Sequence, residues 1–151
     1  MSNLQQTEGV QYAPGTNVHA SYTLPEARVV GYGTSTSVGS PVNRLSVSGA
    51  AKLKGITKRA IAPGKTGDVA VAGVEEVESD GSGTIERGDR LAARTASDAT
   101  EGRVYSLRAD SPAAGTVVHI VGIAEDAAAA TAGARVRCRL TPGATINTAT
   151  S

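Results

Sequence analysis

Residues 134–140 read Ala134-Arg135-Val136-Arg137-Cys138-Arg139-Leu140, a clean alternation with Val136, Cys138 and Leu140 on one side and the three arginines on the other. A side-chain period of two belongs to a β-strand with one face in a core and the other in water. Just upstream, residues 116–124 (TVVHIVGIA) are apolar on both faces, as in a central strand. Between the two, Glu125-Asp126 and four alanines suggest a short helix near Glu125 to Ala132. Acidic residues suit its N-terminus, and Gly133 suits its end. At about two turns such a helix is marginal alone, so it is expected as a connector.

The same texture runs back to residue 42. Leu53–Thr57, Asp68–Val77, Arg90–Ala93 and Arg103–Leu107 read as strands. Pro63-Gly64-Lys65-Thr66-Gly67, Asp80-Gly81-Ser82-Gly83 and Gly88-Asp89 read as turns between them. The expected fold class is mainly β: a small β barrel or sandwich over residues 42–141, with one short helix. Residues 1–41 differ. They are rich in Gly, Ser, Thr, Asn, Gln and Pro, include Pro14-Gly15, Pro25 and Gly31-Tyr32-Gly33, and show no helical period. A long extended N-terminal arm is expected there. Residues 142–151, opening with Pro142-Gly143, are expected to form a short C-terminal tail.

The 151 residues suit one domain. With no Phe, no Trp and one Met, the core must rest on Val, Ile and Leu. Each contributes roughly 1.5–3 kcal/mol when buried, so support from oligomerisation or a larger assembly is favoured. A net charge of +1 supplies no strong field toward nucleic acid or a membrane, and no aromatic platform offers base stacking. One cysteine excludes an internal disulfide. No apolar run approaches the ~20 residues that span a bilayer. The start Met-Ser-Asn-Leu-Gln-Gln lacks the features of a secretory signal, so synthesis in a cytoplasm is expected.

Short motifs resolve into ordinary structure. Gly64-Lys65-Thr66 has Arg59 where a phosphate-binding loop requires glycine. Gly31-Tyr32-Gly33 has Thr36 where a dinucleotide fingerprint requires its third glycine. Arg87-Gly88-Asp89 spells a receptor-binding tripeptide, but a turn launching the next strand accounts for Gly88 and Asp89. His19 and His119 stand in no constellation with a nucleophile or carboxylate, and Cys138 reads as a small buried hydrophobe. The run Glu75, Glu76, Glu78, Asp80 fits no calcium loop. No catalytic residue, cofactor site or metal site is expected. The stripe Arg135, Arg137, Arg139 either solvates an outer face or pairs with carboxylates of a neighbouring subunit.

Several stretches in order carry a resemblance. They are Gly55-Ile56-Thr57, Gly67-Asp68-Val69-Ala70-Val71-Ala72-Gly73-Val74 and Ile85-Glu86-Arg87-Gly88-Asp89-Arg90-Leu91. Two more follow: Val121-Gly122-Ile123-Ala124-Glu125-Asp126-Ala127 and residues 132–140 (AGARVRCRL). In order and spacing, residues 53 to 140 resemble the capsid cement, or head decoration, proteins of tailed bacteriophages. The resemblance implies a small β domain, often a homotrimer, on the capsid exterior of the virion, reinforcing contacts between major capsid protein subunits. It implies neither a cofactor nor an active site. Other readings are a different virion or tail structural module and, at greater distance, a small-ligand-binding β barrel or enzyme.

The segment 1–41 departs from that resemblance. Fixing a backbone costs roughly 1–2 kcal/mol per residue, and the few apolar groups here cannot offset that alone. The alternative is that the arm folds back along its own domain as an extra edge strand; the reading favoured is that it lies on neighbouring subunits, with Tyr12, Tyr22 and Tyr32 as its anchors, each offering apolar area and a hydroxyl.

Overall fold

A computed structural model describes residues 15–20, 23–32, 41–44, 53–95, 100–116 and 118–141. Ten strands and no helix occur among these residues. They sort into two sheets. The first holds β1 (Gly15–Ala20), β2 (Val29–Tyr32), β3 (Pro41–Arg44), β4 (Leu53–Thr57) and β5 (Thr66–Ala70). Its order is β1-β3-β2-β4-β5, and β5 returns to pair antiparallel with β1, so the strands close into a ring. The β1–β3 pair is parallel.

The second sheet holds β6 (Val74–Glu78), β7 (Arg90–Ala93), β8 (Val104–Ser106), β9 (His119–Ala124) and β10 (Arg135–Leu140). Its order is β6-β10-β9-β7-β8, which places the doubly apolar β9 at the centre, as its sequence predicts. A single bridge from Ser79, next to the end of β6, to Val104 of β8 draws the two edges together.

Two cores follow from the two sheets. Val18, Ala20, Leu24, Val30, Ile61 and Val69 fill the ring. The second core gathers Val77, Ile85, Leu91, Val104, Val136 and Cys138 with others, and Val29 and Ile56 of the ring join it. Val29 and Ile56 are cross-strand partners, so one pair of side chains ties the ring to the second sheet. The alternation of β10 holds as expected: Val136 and Cys138 are buried, and Leu140 is half-buried. Gly122 faces the β10 backbone so closely that a Cβ there would stand 1.9 Å from the Arg139 oxygen.

Three expectations need correction. The short helix near Glu125 to Ala132 is absent. Four alanines are too few to nucleate one. Instead Ala128 exchanges both backbone hydrogen bonds with Ile85, at 2.9 Å each. The single strand expected over Asp68–Val77 is two, because Gly73 adopts φ 81° and turns the chain from the ring into the second sheet. The β domain does not begin at residue 42. Residues 15–20 pair with Thr66–Ala70, and Val29–Tyr32 pair with β3 and β4. The apolar residues that looked too sparse to order this segment are required by the ring: Val18, Ala20, Leu24 and Val30 make up most of its core. Residues 1–14, the remainder of the expected arm, and the tail 142–151 lie outside the described residues.

Candidate interaction surface

Tyr32, at the end of β2, is the large apolar side chain left in solvent among the described residues, 57% exposed. On the neighbouring strand β4, the Lys54 ammonium lies 5.0 Å from the centre of the Tyr32 ring, within cation–π range. Lys54 also lines a cleft where the ring meets β9 and β10. The cleft is shallow and open to solvent, between Val29, Leu53 and Val71 on one side and Val121, Leu140 and Thr141 on the other. Leu53, Val71 and Leu140 remain half-buried there. Sequence reading singled out Tyr32 but not its surroundings. Lys54 and Leu53 sit together in a strand whose partners were unknown, and Leu140 comes from the far end of the chain. Tyr12 and Tyr22 lie outside the described residues.

The arginine stripe is paired within its own chain. Arg137 donates to Asp126 in a two-point fork, Nε to Oδ2 and Nη2 to Oδ1, both 2.6 Å. That hydrogen bonding holds the Asp126 carboxyl below its ordinary value. Arg139 Nε donates to Glu125 Oε1 at 2.5 Å. Arg135 lies 3.6–3.9 Å from Glu26, Glu76 and Glu78. The acidic pair placed by the sequence at a helix start thus serves as counter-ions for the last strand.

Glu78 is the centre of a second cluster. Arg28 Nε and Arg103 Nε both donate to its Oε2, at 3.1 and 3.0 Å. Arg28 comes from the segment read as an arm, Glu78 from β6, and Arg103 from the approach to β8. Just before it, Ala27 adopts φ 55°, uncommon for a residue with a Cβ, and its carbonyl accepts from Glu78 N at 2.9 Å. The buried Thr57 hydroxyl donates to Pro25 O at 2.6 Å and accepts from Arg28 N at 3.0 Å. Neither the glutamate hub nor this turn had a local sequence signal, because the partners are 25–50 residues apart.

Other polar groups are structural. Asp89, of the receptor-like tripeptide, is buried; it accepts from Ser106 Oγ at 2.7 Å, from Glu86 N at 2.8 Å and from both Nε and Nη2 of Arg108. Burial raises its pKa, but hydrogen bonds from Arg108, the Glu86 backbone and Ser106 outweigh that and leave it lowered. Its carboxylate is committed to the turn, as the turn reading of Gly88-Asp89 expects. Arg94 bonds Asp80 and Asp110 and stacks 3.7 Å over the Tyr105 ring. His119 is buried, its Nδ1 has no hydrogen-bond partner among the described residues, and burial lowers its pKa. Burial, with Glu125 nearby, pushes the Cys138 thiol up to about 12, where it has no nucleophilic character. No group of His, Cys, Asp and Glu suited to a metal ion occurs among the described residues.

Residues 13–140 match the family model of the phage cement proteins. The chain belongs to that family. The match takes in β1 and β2, consistent with a β domain that starts near residue 15 and not near residue 42. The cement protein shares its fold with a chain in the capsid of Myoviridae phage XM1, at TM-score 0.62 and 16% identity, covering 91% of this chain and 94% of that one. It is also similar to the head fibre gp8.5 N base of bacteriophage phi29, at TM-score 0.53 and 14% identity, covering 85% and 93%. No curated protein matches it. Family membership makes this a structural protein of the phage head and associates it with the virion.

Proposed function

We propose that this cement protein binds the outer surface of the phage head and stabilises contacts between major capsid protein subunits. The observation that carries this reading is the family match over residues 13–140. Neighbouring copies, in a homotrimer, would supply the support that an all-aliphatic core favours. Residues 1–14 are the part of the expected arm still available to reach an adjacent subunit, with Tyr12 as its aromatic anchor. The protein has no enzymatic role in this reading. The Arg135, Arg137 and Arg139 stripe serves first as an internally paired outer face. Contact with a neighbour would require exchange of those carboxylates.

The test is direct. Purified protein is added to capsids that lack it, and both binding and capsid disruption temperature are measured. Saturable binding with a raised disruption temperature is expected. No binding, or binding without stabilisation, overturns the reading. The alternative is another virion or tail module, favoured by the fold shared with a head-fibre base. Negative-stain images of virions with and without the protein distinguish the two.

A further inference from the structure

The named strands of the second sheet pair antiparallel, and one face of the sheet packs on its core. The outer face is divided. Over one half, Ala92, Tyr105, Val118 and Ile120 form a small buried cluster. The other half is open, and the strand registers set a row of side chains across it. Arg90 of β7 stands opposite Ile123 of β9, Ile123 opposite Arg139 of β10, and Arg139 opposite Val74 of β6. Their chain neighbours Leu91, Ala124 and Cys138 belong to the core, so the row itself points outward. Arg90 is exposed, the Arg139 side chain is 59% exposed, and Ile123 between them is half-buried.

Two guanidinium groups thus flank one aliphatic side chain. With strands about 4.8 Å apart, the two arginine backbones stand about 10 Å from one another. Arg137 forks to Asp126, Arg139 bonds Glu125, and Arg87 donates to the Glu125 carbonyl. Glu76 and Glu78, further along β6, lie beside Arg135. The open half-face therefore gathers Arg87, Arg90, Arg137 and Arg139 around the carboxylates of Glu125 and Asp126, and it is positive. In a chain whose net charge is +1, that excess is local.

Charge and shape together select the occupant. An open sheet face fits a protein surface and not a small ligand, which needs a concave site. A second copy docked here about a two-fold axis would set Arg90 and Arg139 against the same arginines, and like charges across an interface oppose association. Carboxylates interleaved with the arginines, in a row with no aromatic ring, suit a nucleic acid poorly. A protein surface with carboxylates about 10 Å apart around an apolar spot meets both guanidinium groups and Ile123 at once.

We propose that this row is the face that meets the capsid shell. Its partner is an acidic patch of the major capsid protein, with carboxylates for Arg90 and Arg139 and an apolar side chain against Ile123. The inference rests on the capsid-binding reading above and names the surface that performs it.

The experiment uses the full chain and capsid shells lacking it, with co-sedimentation at several salt concentrations. Arg90→Glu is expected to weaken binding on the order of tenfold, and Arg90→Gln by less, with a shallower salt dependence. The double variant Arg90→Gln, Arg139→Gln should weaken it beyond Arg90→Gln alone. Arg59→Glu, exposed in the loop after β4, should leave it unchanged. If the double variant fails to fold, as thermal unfolding will show, the two Arg90 variants decide. Unchanged binding by the Arg90 variants overturns the inference and leaves the capsid reading intact. An equal loss from Arg59→Glu assigns the effect to net charge, and the inference falls. A wild type that does not bind removes both. Sedimentation velocity of the free protein covers the other occupant: Arg90 variants that change self-association and not capsid binding assign the face to a second copy and overturn the inference.

Discussion

Replacing Glu78 should destabilise the fold more than any other single surface charge, because one carboxylate joins three parts of the chain. Its Oε2 accepts from Arg28 and Arg103 at 3.1 and 3.0 Å, and its Oε1 lies 3.6 Å from Arg135. Charge-assisted hydrogen bonds contribute about 1.5–3 kcal/mol each. The side chains of Arg28, Arg103 and Glu78 are only 13–19% exposed, so screening reduces this without removing it. Glu78→Ala is therefore expected to cost about 3 kcal/mol. At about 2–4 °C per kcal/mol for a chain of this size, the melting temperature should fall by about 6–12 °C. Glu78→Gln keeps an acceptor but loses the charge, and should cost about half as much. Urea unfolding of the two variants, with a double-mutant cycle to Arg28→Ala, measures the coupling. A Glu78→Ala variant within about 0.5 kcal/mol of wild type would refute the reasoning, since that is the range of an ordinary surface substitution.

Gly122→Ala should cost more than about 3 kcal/mol or yield insoluble protein, because its Cβ would stand 1.9 Å from Arg139 O; a soluble variant with unchanged urea midpoint contradicts the β9–β10 packing. Ala27→Val should destabilise by about 2 kcal/mol, since a β-branched residue is poorly tolerated at φ 55°, whereas Ala27→Gly should be close to neutral. His119 sets a pH dependence: its folded pKa lies below 6.5, so its contribution is fully present above pH 6.5 and is lost as pH falls through the folded value. His119→Gln should flatten the stability profile in that window, as urea midpoints against pH will show. Asp89 acts in stronger acid, because its folded pKa lies below 3.8: its stabilisation holds above 3.8 and is lost as pH falls through the lower value, and Asp89→Asn should remove that part of the acid transition.

What the sequence made legible was local. The alternation of Arg135–Leu140 identified a half-buried strand because its two faces differ at every residue, and the continuous apolar run of β9 identified the centre of a sheet. Gly88-Asp89 was readable as a turn because the turn itself closes locally, with Glu86 N bonding Asp89 Oδ2, whereas the bonds from Ser106 and Arg108 to the same carboxylate had no local signal. The misread helix shows the limit. Alanine has high helix propensity, but propensity over so few residues cannot outweigh two backbone bonds to Ile85, a partner 43 positions away in sequence. The arm was misread from the opposite direction. Val18, Leu24 and Val30 are sparse in sequence, and only closure of the ring by β5 brings them together around Ile61 and Val69. Lys54 and the cleft were invisible for the same reason, since the aliphatic floor is gathered from residues 29 to 140.

The two cores explain why the ring and second sheet should act as one body on a capsid. Among the described residues the ring core contains six buried side chains, the largest being Leu24 and Ile61, and none of them is aromatic. Such a core stabilises little by itself. Val29 and Ile56 are part of the ring's strand pairing, yet their side chains belong to the larger core of the second sheet. Opening the ring would expose both, and Arg28, beside Val29, would leave Glu78 at the same time. The ring therefore draws its stability from the second sheet through adjacent residues 28 and 29, one by charge and one by burial.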